Sequence, residues 1–374
     1  MLKKQKGITL VALVVTIVVL LILAGVSINL VLGDNGIVKK AQEAKRKSGE
    51  ASQNDLTSMN ELAKELEDVI DGTGNNDNES KFMKENTKVT YPDGDVWIPE
   101  GFKIAEDSAL TVQGEDKDGN QFVWVPVATI ADYKRTAYST NIETEETDTT
   151  TNSVKIKHNS DDDYYFTEAL PEDEKTSVDT YKGFYIGRYE AGDKESTEAK
   201  TLRSSADATK TVTIKANQAP YNLVTRAQAI SLAEGFATKQ VYKAKTKLVS
   251  SYAWDTTIAF IQKVNSDYGS STPQGNYADT KITYVDITGT SQTKAAKPSA
   301  VLVPTGQTTP VCNIYDMGGN VWEWTTELCS DINGVYSNRG GTYQGFYAEH
   351  PAGLRDRYSD ISSDLGFRIA LFID

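Results

Sequence analysis

The side chains best suited to chemistry lie near the C-terminal end of the 374-residue chain. The stretch Asn313–Glu327, NIYDMGGNVWEWTTE, sets Asp316 and Glu323 on either side of a glycine pair, with Trp322 and Trp324 flanking Glu323. On an extended backbone the two indoles share one face and the carboxylate takes the other. Buried indoles anchor a core, and a carboxylate opposite them must find a partner. Gly318, Gly319, Gly340 and Gly341 permit backbone conformations closed to other residues and read as turn and packing glycines. Beyond them, Thr342–Leu365 (TYQGFYAEHPAGLRDRYSDISSDL) mixes Tyr, Phe, Asp, Arg, Ser and Gly in the proportions of a binding loop. There aromatics give contact area at low entropy cost and small polar residues adapt. Thiol and imidazole chemistry is poorly provided for. The two cysteines, Cys312 and Cys329, lack the paired spacing of a zinc site and are consistent with one disulfide or two free thiols. His158 and His350 are far apart in sequence, which argues against a histidine-rich metal centre.

The elements that position these residues belong to an outer domain starting near Tyr91. Its short aromatic and β-branched segments VWIP, FVWVPV, GFYIGRYE and LGFRIALF, separated by turn residues, read as strands. Thr225–Ala237 and Ala253–Val264 read as amphipathic helices, the first with Thr225 as N-cap and the second with Asp255 near its start. The mixture implies an α+β, loop-rich domain over 91–374. Residues 137–180, dominated by Thr, Asp, Glu and Ser, read as an acidic, solvated insertion. The net charge of -13 argues against nucleic acid as a partner, because phosphates would be repelled.

The N-terminal region reads differently. Residues 8–32 form an uncharged run of about 25 residues, long enough to span a bilayer as a helix, preceded by Lys3, Lys4 and Lys6. That arrangement predicts a single-pass membrane location with the N-terminus in the cytoplasm and the C-terminal domain outside. Residues 33–70 read as a stalk helix and 71–90 as a linker containing the turn-rich DGTGNNDN. The opening stretch KKQKG-ITLVALVVTIVVLLILAGVSI resembles type IV prepilins and pseudopilins. The resemblance implies a leader at 1–7, cleavage after Gly7, methylation of Ile8 and pilin-like subunits as partners. Ala12 stands where the pattern usually has an assembly glutamate, which suits a minor or tip subunit of a filament.

Taken in order, GFYIGRYE at Gly183–Glu190, the GGNVWEW core, NRGG at Asn338–Gly341 and GFRIAL at Gly366–Leu371 resemble the formylglycine-generating-enzyme, or sulfatase-modifying-factor, family. That resemblance implies a C-type-lectin-like fold. It also implies a structural calcium ion held by Asp316, Gly319, Val321 and Glu323 through two side chains and two carbonyls, hard oxygen donors that suit this cation. The competing reading pairs Glu323 with an arginine such as Arg368. Catalytic members of the family hold copper with two cysteines just after RGG. Those positions fall at Gly345 and close to His350, so no copper and no catalysis of that kind are expected.

The frame xRGGxY, PAxxR and GFRxAL is further similar to the variable proteins of diversity-generating retroelements. By that resemblance the contact set is Gln344, Phe346, Tyr347, Glu349, His350, Leu354, Asp356, Tyr358, Asp360 and Asp364, with Arg339, Arg355 and Arg368 bracing the frame. The expected function is non-catalytic, adhesin-like binding of a protein or glycan ligand on another surface. The alternatives are a metal-dependent oxidoreductase of the formylglycine-generating type and a structural minor pilin.

Overall fold

The computed structural model describes residues 81–374 except 92–93, 106–107, 140–142, 149–152, 159–163, 197–202, 204, 297–298 and 331. Strands β1 (Thr87–Tyr91), β2 (Gly94–Ile98), β3 (Phe102–Ala105), β4 (Ser108–Gly114) and β5 (Gln121–Pro126) come first. After them come β6 (Glu143–Asp148), β7 (Ser153–His158), β8 (Tyr164–Thr167), helix α1 (Glu172–Tyr181) and β9 (Gly183–Gly187). The short strands β10 (Gly192–Asp193), β11 (Val212–Thr213) and β12 (Ala219–Pro220) lead to α2 (Arg226–Gln240), β13 (Lys245–Leu248) and α3 (Ser251–Ile261). Strands β14 (Ile282–Val285), β15 (Ser291–Lys294), β16 (Trp322–Cys329), β17 (Tyr336–Arg339), β18 (Arg355–Tyr358), β19 (Leu365–Phe367) and β20 (Ile369–Phe372) complete the domain.

Strands predominate and the α-helices are few. A six-stranded sheet has the order β13-β20-β9-β5-β4-β3, and a second sheet runs β18-β17-β16-β8-β7-β6 with β19 paired parallel to β16. The six-stranded sheet carries the main core, in which Val123, Val125, Phe184, Ile186 and Phe372 pack with Trp254 and Ile258 of α3. Each such side chain contributes about 1.5–3 kcal/mol on burial. Both helices expected from the sequence form, for local reasons. Thr225 and Gln228 make a reciprocal capping box at the start of α2, with bonds of 2.9 and 3.2 Å. Ser250 accepts the Ala253 N–H at 3.1 Å and caps α3. Asp255 therefore stands inside α3, where it is fully buried and has other work.

Three expectations change. The stretch 137–180 is not simply a solvated insertion: β6, β7 and β8 add to β16, and α1 follows. Val154 and Phe166 close a small cluster with Cys329. A hairpin extending an existing sheet needs few inward apolar residues, and Val154 supplies one from β7. Strand β1 lies within or just past the stretch assigned to the linker, because Val89 pairs with Val96 and is buried. The membrane location is also corrected. No helix among the described residues is long and apolar enough to cross a membrane. The 8–32 run, Gly7, Ile8 and the 33–70 stalk lie outside the described residues.

Candidate functional site

The register of β16 against β17 decides which side chains face which way. Glu323 pairs with Arg339 and Trp324 with Asn338; across β17, Asn338 pairs with Asp356 and Arg339 with Arg355. Directly opposed residues share a face, so Glu323, Arg339 and Arg355 lie on one side of the sheet. Trp322, Trp324, Asn338, Tyr336, Asp356 and Tyr358 lie on the other, as the WEW alternation implies.

The first side is a buried charge cluster. Arg339 donates to Asp255 at 2.5 Å; Arg355 donates to Asp255, to Glu145 at 2.7 Å and to Glu327 at 2.9 Å; Arg135 reaches Glu327 at 3.0 Å. Burial alone would raise the Glu327 carboxyl, but Arg355, Arg339 and Arg135 hold it at about 2. The same groups fix the backbone of residues 352–355. Arg339 donates to the carbonyls of Leu354 (3.1 Å) and Gly353 (2.8 Å), the Trp254 indole donates to Ala352 O (2.9 Å), and Glu145 accepts the Arg355 N–H (3.0 Å).

A second buried cluster surrounds Arg368, which donates to both oxygens of Glu323 at 2.7–3.2 Å, to Gly187 O and to Tyr315 O. Burial pushes the Glu190 carboxyl well above its usual range, and Asp316 and Glu323 add to the shift. Its Oε1 takes the Asn320 amide and its Oε2 has no partner. The residues implied for calcium do not present an open set of donors. Glu323 is occupied by Arg368, and Asp316 accepts from Gly306 N–H (2.6 Å) and the Thr308 hydroxyl (2.7 Å). Among the described residues no three His, Cys, Asp or Glu side chains are grouped to hold a metal. Gly319 serves its backbone role, with φ at +73° and a would-be Cβ 2.5 Å from Asn276 O.

The residues expected to make contacts are placed as follows. Phe346 and Tyr358 are exposed at 38% and 39%, Gln344 and Asp360 are exposed, and Tyr347, Glu349, His350, Asp356 and Asp364 are half-buried. Trp322 meets the His350 ring edge-on at 5.7 Å, and Trp324 meets Tyr336 and Tyr358 edge-on at 6.4 Å each. Tyr347 packs on Tyr277 at 6.4 Å. Leu354 is corrected: it is 1% exposed and not available for contact, because Arg339 draws its backbone inward. Asp360 and Asp364 lie on the loop leading to β19, where Asp364 accepts from Ser362. The positions matched to the family's cysteines are neighbours in space. A Cβ built at Gly345 would lie 2.5 Å from His350 Nδ1, so the imidazole fills the space beside that glycine. Cys312 and Cys329 are both free thiols.

The reading from sequence missed Glu145, Glu327 and Asn338. The alternation of Tyr336 with Asn338, ahead of Arg339, is a signal for the last; nothing local marks Glu145. A groove of about 360 Å³ lies along β13 on the other sheet, where Lys245 and Lys247 pair with Asp374 and Asp173.

No curated relative matches the sequence. Solved structures similar to it include PvdO from Pseudomonas aeruginosa, at 15% identity over 69% of this chain and 96% of that one with a TM-score of 0.37. Treponema denticola variable protein 1 matches at 14% identity over 67% and 95%, TM-score 0.35. CarF matches at 14% identity over 52% and 87%, TM-score 0.34. The model of the sulfatase-modifying factor enzyme 1-like domain matches residues 81–373. With the lectin-like arrangement of its sheets and its RGG and GFR frame in place, the chain belongs to the sulfatase-modifying factor enzyme 1-like domain family.

Proposed function

We propose that this domain is a non-catalytic ligand-binding module that engages a protein or glycan through the outer face of the 342–365 segment. One observation carries the reading: Phe346 and Tyr358 stand 38% and 39% exposed on a segment whose backbone is tied down by fully buried arginines. Large aromatics held in place before binding lose little freedom when a partner arrives, which is how compact faces reach useful affinity. The family contains catalytic members, and the chemistry of those that use paired thiolates has no counterpart here, since the matched positions fall at Gly345 and close to His350 and neither is a cysteine. Phe346, Tyr347, Asp356, Tyr358 and their polar neighbours are the contact set, and the segment is read as one that tolerates diversification.

The test is a triple substitution, Tyr347→Ala with Asp356→Ala and Tyr358→Ala, probed on arrays of glycans and random peptides. Loss of all binding with the unfolding temperature lowered by no more than about 2–4 °C supports the reading. Binding that survives the triple substitution sinks it, and stoichiometric copper on the purified protein would favour the oxidoreductase instead. A reverse transcriptase gene and a near-copy of the segment's DNA beside this gene are the expected genomic signature of a diversified face.

A further inference from the structure

One side chain at the centre of the outer face is left without hydrogen bonds. Asn338 is fully buried, and neither its Oδ1 nor its Nδ2 meets a partner among the described residues. In register it lies between Trp324 on β16 and Asp356 on β18. Its further neighbours on the same face are Tyr336, two residues earlier on β17, and Tyr358, diagonally across on β18, both of which close edge-on against Trp324 at 6.4 Å. A buried carboxamide with nothing to bond is a cost that folding does not require, because an apolar residue of similar size would fill the same space without it. Strand β17 has every reason to carry Leu or Val here if packing were the only demand.

We propose that Asn338 is the anchor of the recognition face and that it takes an amide group of a polypeptide ligand; this rests on the binding reading given above. A carboxamide presents N–H donors and a carbonyl acceptor side by side in a single plane. The group that satisfies both at once, in the same plane, is another amide, with its own carbonyl and N–H. A carboxylate uses only the Asn338 donor and a cation only its acceptor. The surrounding aromatics supply the ring of contacts that keeps water from such a bond, the arrangement found around residues that dominate binding. Tyr358, at 39% exposure, is the member of that ring with the most solvent-facing surface. It is the cover that an incoming peptide displaces. The segment reading placed the contact set from Gln344 onward; the floor of the site lies one strand earlier.

The experiment uses the full chain, the Asn338→Leu variant and the triple variant of Tyr347, Asp356 and Tyr358. The probes are a displayed library of random 12-residue peptides and a panel of methyl glycosides. The expected result is enrichment of peptides on the unmodified chain. Those clones bind Asn338→Leu at least tenfold more weakly, while its unfolding temperature is equal or higher. The rise in temperature is the readout that a merely structural asparagine would not give. Peptides that bind Asn338→Leu undiminished but not the triple variant overturn this inference and leave the face intact. Peptides that bind both variants overturn the face reading itself. Glycosides retained in place of peptides, or an unfolding temperature of Asn338→Leu several degrees lower, also overturn the proposal.

Discussion

The two buried charge clusters of this domain flank the same strand, β16, and are composed differently. Beneath the recognition face, the guanidiniums of Arg135, Arg339 and Arg355 meet the carboxylates of Glu145, Asp255 and Glu327, so that formal charges balance. Around Arg368, one guanidinium meets Glu323 while Glu190 and Asp316 are buried close by, an excess of acid. The balanced cluster behaves as a fixed support, since removing any member strands an opposite charge. The acid-rich cluster has a looser requirement: a proton on Glu190 neutralises part of the excess without any change in packing. The difference teaches which buried charge is structural and which is adjustable.

The comparison breaks most visibly at Arg355. Arg355→Met leaves Glu145, Asp255 and Glu327 short of a cation in a closed interior, and such a loss costs about 3–5 kcal/mol. Glu190→Gln removes an acid that lacks a full set of partners and is expected to change stability at pH 7 by less than about 1 kcal/mol in either direction. Chemical unfolding of the two variants side by side checks the contrast. Comparable losses in both would show that the second cluster is as fully paired as the first.

Acidity sharpens the same contrast. Glu190 has a folded-state value above its ordinary 4.5, so the folded chain binds that proton more tightly than the unfolded chain does. Its contribution therefore grows as pH falls towards that ordinary value. Glu327 is the opposite case: held at about 2 against an ordinary 4.5, it contributes above the ordinary value and loses that contribution as pH falls through the interval to about 2. With Glu168 raised to about 8 and Glu323 to about 7 acting in the same direction as Glu190, the unfolding temperature is expected to rise from pH 8 to about 5 and fall below about 4. Glu190→Gln should flatten the first limb and Glu327→Gln the second. A curve that falls steadily from pH 8 to 5 in the unmodified chain would reverse the assignment of Glu190.

A smaller effect is expected from calcium. A cation bound only by the folded state and present at a hundred times its dissociation constant adds about 2.7 kcal/mol. With Arg368 on Glu323, and Gly306 and Thr308 on Asp316, millimolar calcium is expected to leave the unfolding temperature unchanged. A rise of several degrees, abolished by Asp316→Asn, would show that Arg368 yields its place to the ion.

Much of this arrangement was legible before any coordinates. The period-two alternation of WEW divided the indoles from Glu323, the cap of α2 lay in Thr225, and the RGG and GFR frame placed the arginines, whereas the α3 cap, Ser250, was not read and the helix starts at Ser251, two residues before the expected Ala253. Glu145 was not legible, because its partner Arg355 is 210 residues away and its own neighbourhood is Thr and Glu. Composition describes the average environment of a stretch, whereas one inward side chain on a sheet edge is set by register. Leu354 failed for the converse reason. It lies in a segment of contact-like composition, but its position on the backbone that Arg339 grips turns it inward.

Modest effects are expected on the proposed contact face, and they separate support from surface. Phe346 is 38% exposed, so Phe346→Ala should change stability by no more than about 0.5 kcal/mol. Tyr358 is equally exposed but meets Trp324 edge-on at 6.4 Å, a contact that adds about 0.5–1.5 kcal/mol. Tyr358→Ala is therefore expected to cost about 1 kcal/mol, more than Phe346→Ala and well below Arg355→Met. Urea midpoints at constant slope give this order directly. If Tyr358→Ala cost as much as Arg355→Met, the tyrosine would belong to the support, and a ligand that displaced its ring would have to disturb the sheet to reach Asn338. If its cost is small, the face is free to exchange side chains while the arginine floor beneath it stays fixed, which is the physical condition for one scaffold to serve many ligands.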